Sequence, residues 1–215
     1  MRIVLLGLPG SGKGTQARIL AEKLSLPLVG TGDLLRREIE NQTPLGQQLK
    51  PIMDRGDFPP DALVMDVFME NVKALPGFVV EGIPRSRVQV DLLDKAFAEH
   101  DMALDFLFYL DLPQEVALNR LLSRYMCLSC GATYGPKDGK KRVCDFCGGT
   151  QFGQRRDDVE DVIVKRLKAQ HLRDQDILKA YEDQPFFHRI SAQAPADEVS
   201  QKIVDCLKNS PCEGF

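Results

Sequence analysis

The sequence predicts an α/β fold, a five-stranded parallel sheet covered by helices on both faces. Three observations carry the prediction. Short β-branched or aromatic runs alternate with helical patterns, turn residues bound each run, and the first run leads through a glycine-rich loop into a helix. Residues 2–6 (RIVLL) stop at Gly7, and the helical pattern from about Gly14 to Leu24 ends at Ser25-Leu26-Pro27. Further apolar runs stand at 78–80, 105–110 and about 187–190. Helical patterns at 61–75, 87–99, 114–125 and about 158–182 separate them, and an amphipathic segment at 196–208 closes the chain.

Two stretches interrupt the alternation. Residues 30–60 carry short helical patterns at 33–40 and 45–54, the second containing Pro51, and end in Gly56 and Pro59-Pro60; they read as a helical insertion. Residues 125–156 are rich in Gly, Cys, Lys and Arg and poor in large apolar side chains. A segment of that size buries too little apolar surface to fold unaided, and metal ligands are the usual remedy. The expected organisation is a core of residues 1–29, 61–121 and 158–215 with insertions at 30–60 and 122–157.

At 215 residues the chain has ample length for one main core, and 43% hydrophobic with 27% charged residues excludes a disordered, collagen-like or fibrous chain. A net charge of −3 gives no general pull toward nucleic acid or anionic membrane, so any anion site must come from local clustering. No apolar run approaches the roughly 18 residues of a membrane span, and the N-terminal stretch breaks into Gly and Pro too early for a signal peptide. The chain therefore reads as cytoplasmic, and nothing in it requires more than a monomer.

Gly7-Leu8-Pro9-Gly10-Ser11-Gly12-Lys13-Gly14-Thr15 follows a strand and opens a helix. Glycines let backbone N–H groups turn around phosphate oxygens, the helix N-terminus adds positive potential, and Lys13 supplies a mobile charge. The strict GxxxxGK[ST] pattern fails at Gly14, with Thr15 one place late. Cys127-x2-Cys130-x13-Cys144-x2-Cys147 supplies two knuckles of thiolates, a donor set that fits tetrahedral Zn²⁺; two disulfides or an iron–sulfur cluster are the competing readings. A closed four-thiolate shell has a structural role only. Cys206 and Cys212 stand apart, and His100, His171 and His188 have no metal or nucleophile partner in the pattern.

Thr31-Gly32-Asp33-Leu34-Leu35-Arg36 reads as a capping residue before a helix with an Arg in its first turn. Pro84-Arg85 puts an Arg at a strand's carboxyl end, where open α/β sheets bind ligands. Glu81 ends the same strand, where phosphate-loop proteins place a carboxylate that reaches the Mg²⁺ shell; Asp33 is the other candidate. Their alternative roles are a strand-end charge and a helix cap. Arg120 and Arg124 lie four apart on the helix entering the cysteine segment, so both are expected on one side. Arg155 precedes Asp157-Asp158, and Arg166 lies on the helix beyond.

The GxPGxGKGT loop with these blocks resembles the nucleoside monophosphate kinases, P-loop proteins with a three-layer core, and is similar over nearly the whole chain to adenylate kinases with a long cysteine-bearing lid. The resemblance implies reversible transfer of a phosphoryl group from MgATP to AMP, giving two ADP, with Mg²⁺ accompanying ATP and structural Zn²⁺ in the lid. It places ATP on Gly10, Ser11, Gly12, Lys13, Gly14, Thr15, Arg120 and Arg124, and AMP on Thr31, Arg36, Gly82, Arg85, Gln89, Arg155 and Arg166. Catalysis would rest on Lys13, Arg85, Arg120, Arg124, Arg155 and Arg166, and Gln89 would meet the acceptor base. TGD around Thr31 favours AMP over CMP or UMP. Two departures stand out: Glu81-Gly82 replaces the family's usual Asp-Gly, and 188–195 lacks the expected Gly-containing loop beside the donor adenine. Asp157-Asp158 is either a lid latch or a helix-start charge pair. A rival from another class is a nucleotide-gated nucleic-acid binder with lysines 137, 140 and 141 as its basic face; the flanking arginines have no purpose under it.

Overall fold

A computed structural model describes residues 1–135, 138–154 and 158–209. Its central sheet is parallel, with strand order β2-β3-β1-β4-β8. The strands are β1 (Arg2–Gly7), β2 (Leu28–Gly30), β3 (Phe78–Glu81), β4 (Phe106–Asp111) and β8 (Phe187–Ser191). Four of them answer to the apolar runs in the sequence. The fifth, β2, is three residues long and registers Leu28, Val29 and Gly30 on Val79, Val80 and Glu81; the sequence pattern does not single it out because so short a strand has no period to read.

Side-chain alternation along β1 explains the layers. Ile3 and Leu5 pack with Ala17, Leu20, Ala117, Leu121 and Ile203 on one face, whereas Val4 and Leu6 pack with Phe68, Leu93 and Ile177 on the other. The first face is covered by α1 (Lys13–Leu24), α6 (Gln114–Leu122) and α8 (Ala196–Asn209). The second is covered by α4 (Asp61–Val72), α5 (Arg87–Glu99) and the C-terminal half of α7 (Glu160–Tyr181). Phe78 is fully buried, with edge-on rings of Phe68 and Phe97 at 6.0 and 6.4 Å. Emptying such a site costs about 3–5 kcal/mol.

Residues 31–54 form two helices, α2 (Thr31–Glu40) and α3 (Pro44–Asp54). Thr43 caps α3 by accepting from the Gly46 N–H at 2.9 Å, and Pro44 occupies the first turn, where its missing N–H costs nothing. The cysteine segment builds an antiparallel sheet, order β6-β5-β7, from β5 (Tyr125–Cys127), β6 (Thr133–Tyr134) and β7 (Phe152–Gly153). Tyr125, Tyr134 and Phe152 hold one another with ring centroids 5.6 to 5.8 Å apart, a small core beside the cysteines. No helix among the described residues is long and apolar enough to cross a membrane.

Candidate active site

The loop between β1 and α1 opens onto a cavity of about 950 Å³ at the carboxyl end of the sheet, where β1 lies between β3 and β4. Gly12 is the N-cap of α1 at φ 92°, and Gly10 at φ 83° lies so close to α6 that a Cβ would stand 2.7 Å from the Ala117 carbonyl oxygen. Only glycine meets both conditions, and the bend leaves the amides of α1's first turn facing the cavity. Lys13 Nζ donates to the Gly7 and Leu8 carbonyls at 2.7 and 2.8 Å. Burial pushes its ammonium down to about 8; Glu81 and Asp174 oppose that shift, while Arg85 and Arg166 add to it.

Arg85 follows β3. Its Nε donates to the Gly82 carbonyl and its backbone N–H to Gln89 Oε1, both at 2.7 Å. Burial again lowers its affinity for the proton, with Arg166 and Arg36 acting in the same sense and Glu81 against them. Lys13, Arg36, Arg85, Arg120, Arg124 and Arg166 all line the one cavity. Carboxylates line it as well, among them Asp33, Glu81 and Asp174, so the wall carries both signs of charge, and Lys13 and Arg85 are the buried cations placed to meet an anionic guest. Two hydroxyls of the lining, Ser11 Oγ in the loop and Thr31 Oγ1 at the start of α2, are buried and lack a partner. Orphaned polar atoms of that kind await a ligand or water.

Local geometry corrects three sequence readings. Thr31 is no cap: α2 begins at Thr31 itself, with Gly30 as N-cap and no side-chain bond, so the hydroxyl is left to the cavity. Arg36 falls beyond the first turn and pairs with Asp33 at 2.5 Å, one turn back on the same helix. Arg124 does not share a helix face with Arg120, because α6 ends at Leu122 with Ser123 as its C-cap. Freed from the helix, Arg124 reaches Asp158 through Nε at 2.8 Å and Nη2 at 2.5 Å, a fork with both side chains largely buried. Asp158 thus lies outside α7 and is paired with Arg124, whereas the acidic first turn of α7 is Glu160-Asp161. Arg155, Asp157, Lys137 and Cys212 lie outside the described residues.

Several lining residues have no motif to announce them. Gln193 and Ala196 flank the far end of the cavity, where Arg120 Nη2 donates to the Gln193 carbonyl at 3.3 Å. Gln16 ties this wall to α1: its amide donates to the Ala196 carbonyl at 2.8 Å and accepts from Ser200 Oγ at 2.6 Å. Its position directly after the loop, inside an apolar helix face, was the available signal. Gln89 is buried, with Nε2 donating to Asp61 Oδ1 at 2.7 Å. Asp174, also buried, accepts from Tyr109 and Gln170 at 2.9 and 2.6 Å, and burial holds its carboxyl above the usual range.

The four cysteine sulfurs lie within 4.8 Å of one another, with 3.6 Å between Cys127 and Cys147 and between Cys130 and Cys144. Ligands about 2.3 Å from a tetrahedral zinc stand about 3.8 Å apart, so the residues present fit that ion. Tyr134 supports the cluster by donating to Cys144 Sγ at 3.2 Å while accepting the Asp145 N–H at 2.9 Å. The thiols are free rather than paired in disulfides.

A glycine loop entering a helix at the carboxyl end of a parallel sheet, opposite a nest of arginines, defines a P-loop phosphate-binding protein. Residues 5–185 match the adenylate kinase family model. The chain is 37% identical to an adenylate kinase of Ruminiclostridium cellulolyticum, over 96% of its own length and 99% of the relative's. It is 38% identical to those of Thermodesulfovibrio yellowstonii and Streptomyces avermitilis, over 97% of its length in each case and 99% and 97% of theirs. The chain belongs to the adenylate kinase family.

Proposed function

We propose that the chain catalyses the reversible reaction ATP + AMP = 2 ADP, with the one cavity taking both nucleotides. The observation that carries this reading is one cavity lined, among the described residues, by Lys13 and six arginines together with the orphaned hydroxyls of Ser11 and Thr31. Lys13 and the amides of Gly10 to Thr15 hold the donor phosphates. Thr31, Arg36, Gly82 and Arg85 hold the acceptor, and Arg120, Arg124, Arg155 and Arg166 stabilise the charge in flight. A transferring phosphoryl spreads negative charge over its oxygens and offers little to protonate, so fixed cations serve better than a general base. The donor base lies beside Arg120 and the wall at Gln193 to Ala196, which line the cavity together. Gln89 can meet the acceptor base through its second Nε2 proton or second Oε1 lone pair, since Asp61 and the Arg85 N–H use one of each.

Adenylate kinases use Mg²⁺ with ATP, and the ion supplies positive charge to the donor phosphate oxygens; Asp33 and Glu81 are the carboxylates suited to its outer shell. Zn²⁺ on Cys127, Cys130, Cys144 and Cys147 holds the lid together. Residues 1–29, 61–121 and 158–215 serve as core, 30–60 as acceptor-binding insertion and 122–157 as lid, in a cytoplasmic monomer that binds neither membrane nor nucleic acid. Closure of the insertions aligns the phosphates and excludes water, whose entry would make the transferase an ATPase. The test offers AMP, CMP, UMP, GMP and water separately with MgATP and measures ADP. Strong preference for AMP supports the reading; preference for CMP or UMP overturns the base assignment, and transfer to none overturns the function.

A further inference from the structure

Arg18 belongs to α1, the helix that begins at Lys13, and the reading above gives it no role. Its Nη2 donates to the Cys130 carbonyl at 2.9 Å, and its guanidinium carbon stands 5.2 Å from the centroid of the Phe146 ring. Cys130 closes the first cysteine pair and Phe146 lies inside the second, so one side chain touches both knuckles. Gly131, Thr133 and Phe146 line the cavity together with Lys13 and Thr15, which puts the cysteine segment over the phosphate loop.

We propose that Arg18 is a positioning residue, a clamp that holds the lid closed over the phosphate loop by gripping both knuckles at once. A planar guanidinium suits the task because it donates in its plane while presenting a face to an aromatic ring. The Cys130 acceptor is a backbone carbonyl, so the grip depends on where the knuckle is folded and not on its side-chain charge. Arg18 is fixed to the core helix, so both contacts exist only while the lid is down. They stabilise the closed form alone and shift the population toward it.

The test compares the full zinc-loaded chain with Arg18→Ala, Arg18→Lys and Phe146→Leu. In the nucleotide-free proteins, hydrogen exchange of amides 127–134 and 144–149 is expected to quicken about tenfold in Arg18→Ala, the equivalent of one charged hydrogen bond and one ring contact, with the strands of the central sheet unchanged. Arg18→Lys keeps a charged donor but no planar face and should fall between. In the kinetic arm, which rests on the proposed phosphoryl transfer, KM for MgATP rises about tenfold in Arg18→Ala while kcat does not fall and KM for AMP stays constant. Unchanged lid exchange, or acceleration spread through the central sheet, overturns the clamp. Absence of AMP-dependent transfer in the unmodified chain overturns the functional reading instead, and the exchange arm still decides the clamp.

Discussion

Raising the pH tests the setting of Lys13 directly. Burial holds its ammonium at about 8, against 10.5 for a free lysine, so the charge that meets the donor phosphates is lost within the accessible range. The protonated form binds, and a bound polyanion raises the group's proton affinity; nucleotide binding at pH 8 or above therefore takes up protons, and affinity falls as pH rises through 8. If only charged Lys13 binds well, the apparent Kd for MgATP scales as one plus the ratio of neutral to charged lysine, a rise of about eightfold between pH 7.5 and 9. Phosphate groups, with a second pKa near 6, are already ionised throughout that interval. Calorimetric titration without acceptor measures both the affinity and the proton uptake, and Lys13→Met should bind weakly with no slope. A flat profile for the unmodified chain, or a break near 10.5, would refute the buried setting. The effect on folding has its own sign: with the folded value below the unfolded one, the Lys13 contribution to stability grows as pH climbs from 8 toward 10.5.

Three further outcomes are expected. Asp158→Asn leaves the Arg124 guanidinium with no charge partner in a largely buried place and should cost about 3 kcal/mol in urea denaturation, an unchanged midpoint removing the pair's structural role. Thr31→Val deletes a buried hydroxyl that has no protein partner, so stability holds or improves while KM for AMP rises about five- to tenfold; constant KM would take Thr31 out of the acceptor pocket. Cys130→Ser should lower zinc content and melting temperature together, and a melting curve untouched by metal loss would show that the knuckles fold without it.

What the sequence by itself determined is local in origin. The phosphate loop, the cysteine spacing and the alternation of apolar runs with helices depend on residues a few positions apart, and backbone sterics or ligand chemistry make each pattern specific. Residue order thus identified the parallel sheet, the glycine loop between its first strand and helix, and a cluster of four cysteines. Only the tertiary structure decided partners: Arg124 with Asp158 across 34 residues, Arg18 with Cys130 across 112, Gln16 with Ser200 across 184. It also ended α6 before Arg124 and turned the Thr31 hydroxyl from a cap into a cavity wall. An arginine or glutamine has the same propensity wherever it stands, and its role depends on which distant backbone or carboxylate the sheet's crossovers carry to it.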